Sequence, residues 1–173
     1  MIDLSEHLEC LAMSDLKDVP GVLVFPPLIP LAVLIVGVFL DWLVPLSFLA
    51  PIPIAVRIAV GLGLIVLGAA SGIVGDNTFQ RIGTNTNPMQ PVLKLAEEGI
   101  FAHLRNPMYV GMALLVLGIV VFFALEWTLF ALIVGALVMH FGVVLREERY
   151  LERKFGDDYR RYKDSVPRYG WRF

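Results

Sequence analysis

Four long apolar stretches restrict what this chain can fold into. They cover residues 21–46, 54–74, 107–125 and 127–145. Each is close to the roughly 20 mostly apolar residues that a membrane-spanning helix needs. Of the 173 residues, 57% are hydrophobic and only 17% are charged, and the mean hydropathy is +0.73, well above that of a soluble domain. The sequence therefore predicts an all-α membrane protein, with four transmembrane helices in a single domain, 1–173.

The connections between these stretches predict two hairpins. Residues 50–53 form a short proline-containing turn, and only residues 125–127 join the third stretch to the fourth. A polar segment, residues 76–105, lies between the hairpins, and a charged tail, residues 146–173, follows the last stretch. We expect the tail to be an amphipathic helical segment at the membrane surface.

Prolines and glycines refine the predicted helices. Prolines crowd the start of the first stretch, so its helix is expected to begin near Pro27 to Pro30. Gly68 and Gly72 have the G-x-x-x-G spacing that allows close helix approach in lipid. Glycines recur at seven-residue spacing on the third and fourth helices, which predicts that these two helices pack closely together: Gly111, Gly118, Gly135 and Gly142.

The distribution of basic residues predicts the orientation. Of the 14 lysines and arginines, all but Arg57 lie in the N-terminal segment, the polar middle segment or the tail, which four spans would place on one side. Loops rich in Lys and Arg stay in the cytoplasm. We therefore expect an inner or cytoplasmic membrane protein with both termini cytoplasmic. The net charge of −2 gives no sign of nucleic-acid binding, and no nucleic-acid partner is expected.

Polar residues crowd the start of the third helix, in the sequence "LRNPMYVG". Each of them suits a purely structural role. Asn106 can cap the helix and Pro107 suits its first position. Arg105 can extend toward lipid headgroups and Tyr109 can lie in an interfacial aromatic belt.

The end of the fourth helix carries a second polar group, in the sequence "LREERYLERKF". Because helices three and four form a hairpin of matching spans, Arg105 and the pair Glu147 and Glu148 should lie at similar depth. Ion pairing along the helix surface accounts for these charges only in part, since the i,i+4 pairs Glu148 with Glu152 and Arg149 with Arg153 are like-charged. The sequence therefore predicts one cytoplasmic pocket between the two helix ends.

These motifs, in this order, resemble a known group of enzymes. "TNTNPMQPVLKLAEEGIF", "RNPMYVG", "REERYL" and "FGDDYRRYKDSVPRY" are similar to the integral-membrane methyltransferases of the isoprenylcysteine carboxyl methyltransferase type, and to their bacterial phospholipid and thiol methyltransferase relatives. The resemblance covers residues 84–169, about half the chain. That family usually has histidine at the position of Asn106, where bacterial relatives often carry asparagine.

The resemblance implies S-adenosylmethionine as the methyl donor, bound in the cytoplasmic segments 76–105 and 146–173. Arg105 or Arg146 can hold its carboxylate, and Glu147 or Glu148 its ammonium and ribose hydroxyls. The implied catalytic residues are Arg105, Glu147 and Arg168. The implied donor-binding residues are Arg105, Asn106, Met108, Tyr109, His140, Arg146, Glu147, Glu148, Tyr159 and Tyr162.

A histidine and two tyrosines in this set are equally compatible with structural roles. His140 lies within the fourth helix, where an ionisable group is a functional candidate, but a neutral histidine bonded within the bundle is the alternative. Tyr159 and Tyr162 can close over the pocket or belong to a basic amphipathic helix on anionic lipid. The three histidines lack metal-ligand spacing, so no metal is expected.

The sequence thus predicts an S-adenosylmethionine-dependent methyltransferase. The acceptor is expected to be a membrane-borne or small lipophilic carboxylate, amine or thiol. Two alternatives remain: a sterol-reductase-like membrane oxidoreductase that uses NADPH, and a non-catalytic membrane scaffold. Lipid is the expected partner, and the sequence does not indicate an oligomeric state.

Overall fold

The computed structural model describes residues 18–170. Over this range the chain is helical and contains no strand. Its elements, in chain order, are α1 Leu28–Leu43, α2 Ile54–Ile82, a 3₁₀ turn Gly99–Ala102, α3 Pro107–Phe123, α4 Glu126–Met139, a π-helical segment His140–Val144, α5 Leu145–Phe155 and α6 Asp157–Ser165. Helix α1 begins directly after Pro27, where the prolines predicted its start.

Two helices are long and apolar enough to cross a membrane. They are α2, with 29 residues, and the continuous helix Glu126–Phe155, with 30 residues, which combines α4, the π segment and α5. Helices α1 and α3 are apolar but shorter, with 16 and 17 residues. Large apolar side chains on these helices are exposed, for example Trp42 at 77% and Val66 at 64%, as lipid contact requires.

The last helix is longer than predicted. It does not end near residue 145 but continues through α5, so the first part of the expected separate tail is an extension of the fourth helix. The chain turns only at Gly156, whose φ of 55° is in the left-handed region that favours glycine. Helix α6 follows this turn and carries Tyr159 and Tyr162 into buried positions.

Glycines permit the close contacts between helices. The most extensive pairing is α2 with α3: a Cβ added to Gly68 would lie 2.6 Å from the Gly111 carbonyl oxygen, and one added to Gly61 would lie 2.9 Å from that of Gly118. Such contact between backbones is possible only without side chains. Gly72 is different, since a Cβ there meets nothing within 4 Å.

The predicted glycine contact between the third and fourth helices is therefore wrong. Gly111 and Gly118 face α2, whereas Gly135 faces α1, where an added Cβ would lie 2.4 Å from Val33 Cγ2. Helices α3 and α4 are joined by a short connection but pack less extensively than the pairs α2–α3 and α1–α4. Three of the four glycines at seven-residue spacing, Gly111, Gly118 and Gly135, do lie at close helix contacts, but not with the predicted partner helices.

A carboxylate on α1 caps the start of α4. Asp41 accepts hydrogen bonds from the backbone nitrogens of Trp127 and Thr128 at 2.9 and 3.3 Å and from the Thr128 hydroxyl at 3.1 Å. The residue before α4 is Leu125, which has no polar side chain with which to cap the helix. Asp41 thus satisfies the free N–H groups of a helix distant in sequence, which fixes α1 against α4.

Replacing Asp41 with alanine should lower the stability of the protein by about 1–2 kcal/mol, since two backbone donors would lose their acceptor. The measurement is the thermal unfolding midpoint in detergent micelles. The matched control is Asp164→Ala, which removes an exposed carboxylate and should leave the midpoint nearly unchanged. Equal midpoints for the two variants would contradict the capping role.

Candidate functional site

A cavity of about 330 Å³ lies where α3 begins and α5 leaves the helix bundle. Its walls are formed by residues 20–27 before α1, Phe79 on α2, residues 85–96 and Phe101 between α2 and α3, the start of α3, and the facing sides of α5 and α6. Most of the lining side chains are apolar, and the polar ones include Arg105, Asn106, Glu147 and Glu148. Such a combination of apolar walls and a few convergent polar groups is typical of small-molecule sites.

The two helix ends converge in this cavity as the sequence predicted. Arg105 Nη1 donates to Glu148 Oε1 at 2.7 Å, and the exposed fractions of these side chains are only 9% and 10%. Arg168, which follows α6, donates two hydrogen bonds to the same carboxylate, at 2.8 and 2.6 Å. The backbone N–H of Arg105 also donates to the Pro167 carbonyl at 3.0 Å, so the start of α3 and the segment after α6 are joined.

Glu148 is therefore a buried carboxylate shared by two guanidinium groups. The bidentate geometry of Arg168 suits a carboxylate, and charge-assisted bonds of this kind are the strong ones. The hydrogen bonds that Arg168 donates to Glu148 raise the pKa of Arg168 above its ordinary value. Arg105 is not fully satisfied, because its buried Nε has no hydrogen-bond partner within residues 18–170.

Glu147 has a different environment from its neighbour. The Tyr109 hydroxyl donates to Glu147 Oε1 at 2.6 Å, and both residues line the cavity. Within residues 18–170 no lysine or arginine pairs with Glu147. A carboxylate that faces a cavity without a cationic partner favours a positively charged ligand, or a ligand that donates hydrogen bonds.

Two tyrosines of α6 form the wall on the other side of Arg105. Tyr159 is 2% exposed, and its hydroxyl lies 3.5 Å from Arg105 Nη1. Burial and the nearby Glu148 carboxylate raise the pKa of Tyr159 to about 12, so the phenol is neutral near pH 7. Tyr162 donates to the Phe101 carbonyl at 2.7 Å, and burial raises its pKa as well.

Eight of the predicted site residues line the cavity together: Arg105, Asn106, Met108, Tyr109, Glu147, Glu148, Tyr159 and Tyr162. The remaining three do not. Arg146 Nη1 donates to the Gly21 carbonyl at 3.3 Å, and His140 shares a 2.8 Å hydrogen bond with the Tyr169 hydroxyl. Arg168 contacts two lining residues from outside the cavity: its guanidinium group donates to Glu148, and its backbone carbonyl accepts from Asn106 Nδ2 at 3.3 Å.

The π-helical segment accounts for the separation of His140 from Glu147. Seven residues apart on a regular α-helix, they would share nearly one face. The segment His140–Val144 lies between them, and a wider π turn changes the register of the side chains that follow. A sequence pattern based on regular helical spacing does not detect this change.

One cavity wall was not predicted from the sequence, and a second was predicted only as a donor-binding segment, 76–105, with no residue before Arg105 named in it. Phe25, Pro26 and Pro27 line the cavity from the N-terminal side, and Asn85 and Thr86 line it from the polar middle segment. The spacing of the prolines indicates only a helix start. The asparagine and threonine lie in "TNTNP", which contributes to the family resemblance but contains no charged group that would mark it as part of a site.

The described residues offer no evident metal centre. Within residues 18–170, no group of three or more His, Cys, Asp or Glu side chains is placed to hold a metal ion. The charged groups on the cavity wall are one guanidinium and two carboxylates, and Arg168 adds a second positive charge behind Glu148.

Comparison with known proteins adds a family match. The chain matches the profile of the family described as "Phospholipid methyltransferase" over residues 56–158. It is also 39% identical over 62 residues to an uncharacterized protein of Haemophilus influenzae, a match that covers 36% of this chain and 98% of that protein. No solved structure matches the chain.

Proposed function

Since the chain belongs to the phospholipid methyltransferase family, we propose that it transfers a methyl group from S-adenosylmethionine to a lipophilic acceptor at the membrane surface. The observation that carries this proposal is the cavity at the start of α3, where Arg105, Glu147 and Glu148 meet. Most of its lining, including these three residues, lies within the matched residues 56–158.

The residues present fit this donor. Glu147 has no cationic partner within the described chain and suits the donor's ammonium or ribose hydroxyls. Arg105 is the candidate for its carboxylate, because Arg146 lies outside the cavity lining. The stacked rings of Phe79 and Phe101, with centroids 4.7 Å apart, offer an aromatic and apolar wall.

The chemistry requires little acid–base help from the protein. When bound, the donor's sulfonium supplies an electrophilic methyl group, which an acceptor lone pair attacks as the carbon–sulfur bond electrons leave with sulfur. The protein's residues hold the two reactants in line and exclude water. Tyr159 is a neutral phenol near pH 7, and its raised pKa makes it still harder to deprotonate, so it is suited to orienting Arg105 rather than to accepting a proton.

The apolar walls support a lipophilic acceptor. Phe25, Pro26, Pro27 and Met112 line the cavity, and the neighbouring Leu23 on the N-terminal side is 65% exposed. An acceptor dissolved in the bilayer can approach along such a surface without crossing water. This supports a lipid or small lipophilic substrate, and leaves amine, thiol and carboxylate groups as the nucleophiles to be tested.

We further propose four membrane spans with the cavity on the cytoplasmic side. Helices α1 and α3 are 16 and 17 residues long, and each packs along one of the two long apolar helices. The excess of Lys and Arg in the polar middle segment and the tail supports the cytoplasmic placement. Both chain termini would then be cytoplasmic.

Replacing Glu147 with glutamine should weaken binding of S-adenosylmethionine by roughly 10- to 100-fold, because the cavity loses the carboxylate that would accept hydrogen bonds from the donor's ammonium or ribose hydroxyls. Titration calorimetry on detergent-purified protein measures this. Glu98→Gln, which changes an exposed carboxylate far more accessible than Glu147, is the control and should bind like the wild type.

The same assay tests the alternatives. Wild-type protein that binds a reduced nicotinamide instead would support the sterol-reductase-like oxidoreductase, and wild-type protein that binds neither would support a scaffold. Equal affinity in Glu147→Gln and the wild type would contradict the assignment of this cavity to the donor. If the wild-type protein binds S-adenosylmethionine, incubation with labelled donor and membrane extract identifies the acceptor as the molecule that becomes methylated.

A further inference from the structure

We propose that Tyr150 is a positioning residue that holds two walls of the cavity in place. This inference rests on the proposed function, since it assigns Tyr150 a role in ligand binding. Tyr150 does not line the cavity. It lies on α5, in the same short helix as Glu147 and Glu148, and is 4% exposed.

The Tyr150 hydroxyl joins three segments of the chain. It donates to Asp18 Oδ1 at 2.8 Å, with the Asp18 carbonyl oxygen also 3.2 Å away. It accepts from the Val92 backbone N–H at 3.1 Å and from Lys154 Nζ at 3.1 Å. One donated and two accepted bonds use the full capacity of a phenol hydroxyl. We call these four residues, Asp18, Val92, Tyr150 and Lys154, the Tyr150 junction.

The junction is reinforced by an ion pair. Lys154 Nζ contacts both Asp18 carboxylate oxygens, at 2.7 and 2.6 Å. The hydrogen bonds from Lys154 and Tyr150 lower the pKa of Asp18 below its ordinary value, so the carboxylate is charged near pH 7. Lys154 therefore bonds to Asp18 and to the Tyr150 hydroxyl, whereas the contact with the Val92 N–H is made by the hydroxyl itself.

The segments joined here are two different walls of the cavity. Asp18 precedes the wall formed by residues 20–27, and Val92 belongs to the wall formed by residues 85–96. Each segment lacks regular helix near the cavity, so its position depends on bonds such as these. The first wall has a second attachment, the Leu23 N–H to the Gly142 carbonyl at 3.0 Å.

The Val92 bond ties the second wall to α5. The next two backbone N–H groups, of Leu93 and Lys94, donate to Thr84 Oγ1 at 2.9 and 3.2 Å, so these bonds stay close to the segment itself. Val92 alone of these three reaches α5. Loss of the Tyr150 hydroxyl should thus free this wall from the helix that carries both glutamates while its local bonds persist.

The test is Tyr150→Phe, which keeps the buried ring and removes only the hydroxyl. The first measurement is amide hydrogen exchange by NMR in micelles. Exchange at Val92 should become roughly tenfold faster or more, since the local opening loses its restraint, while Leu93 and Lys94 keep their protection. Lys154→Met is the control, because it removes the ion pair and should leave Val92 protected.

The second measurement separates positioning from general stability. KM for the donor should rise about tenfold with kcat changed much less, as expected when binding contacts are lost equally in the ground and transition states. Unchanged Val92 exchange, or an unchanged KM, would overturn the proposal. Faster exchange at all three amides would also overturn it, because Tyr150 would then be a general structural residue. If the wild-type protein shows no methyl transfer, but Val92 alone loses protection in Tyr150→Phe, the proposed function is contradicted and the positioning role of the Tyr150 hydroxyl is still supported.

Discussion

Replacing Glu148 with alanine should destabilise the protein by about 3–5 kcal/mol, since breaking a buried ion pair leaves uncompensated charge. Arg105 and Arg168 both bond to this carboxylate, and the Arg105 side chain is only 9% exposed. With Glu148 absent, two guanidinium groups would lie close together without the carboxylate that now neutralises them. The thermal or denaturant midpoint in micelles measures the loss, and donor binding should fall with it because Arg105 is no longer held at the cavity.

A surface ion pair provides the matched control. Arg81 and Glu98 are joined at 2.9 Å, but their side chains are 64% and 56% exposed. Glu98→Ala should therefore cost only about 0–1 kcal/mol. The double variant Arg105→Met with Glu148→Gln should recover part of the stability lost in Glu148→Ala, because one buried charge is removed with its partner. A cost for Glu148→Ala no larger than that for Glu98→Ala would contradict the buried-pair argument.

The sequence predicted the convergence of Arg105 and Glu148 better than it predicted the helix packing. Glu147 and Glu148 lie at the end of the fourth apolar stretch, and Arg105 lies just before the third. Because both stretches have the length of a membrane span, these residues should lie at the same depth. This depth constraint, with the hairpin, predicted that Arg105 and Glu148 lie close together. It did not reveal that Arg168 would share this carboxylate, because its position depends on the turn at Gly156, which returns α6 to the start of α3.

Two of the predicted donor-binding residues, His140 and Arg146, do not line the cavity. His140 was related to Glu147 by regular helical spacing, and the π segment that begins at His140 alters that spacing. Arg146 was grouped with the glutamates by its depth at the end of the fourth helix, and depth does not determine which side of the helix a residue faces. The backbone pattern of a π turn has no reliable signature in one sequence. The Leu23 N–H donates to the Gly142 carbonyl, which lies inside this segment. The π segment thus holds the wall formed by residues 20–27, which was not predicted from the sequence.

Helix pairing was less predictable because glycine identifies a close contact and not its partner. In lipid, small residues are enriched at helix interfaces since they let backbones approach, and the chain has such residues on several helices. Only the three-dimensional arrangement shows that Gly68 faces Gly111 while Gly72, four residues later, has open space at its Cβ position. This difference within one helix allows a sharp test.

Replacing Gly68 with alanine should destabilise the protein by about 1–3 kcal/mol, the usual cost of overpacking a well-packed interface. The added Cβ would lie 2.6 Å from the Gly111 carbonyl oxygen and 2.7 Å from the Leu115 nitrogen. Both are backbone atoms, so no side chain can rotate to relieve the contact. Helices α2 and α3 must separate, which loosens the start of α3 and the cavity that it lines. The thermal midpoint in micelles measures the first effect, and donor affinity measures the second.

The same helix supplies controls that separate packing from helix propensity. A Cβ at Gly63 or Gly72 meets nothing within 4 Å. Alanine is favoured over glycine inside a helix by about 1 kcal/mol, so Gly63→Ala and Gly72→Ala should be neutral or mildly stabilising, whereas Gly68→Ala loses stability despite the same gain in propensity. If all three variants unfold at the same midpoint, α2 and α3 do not make the close backbone contact on which the position of Arg105 depends.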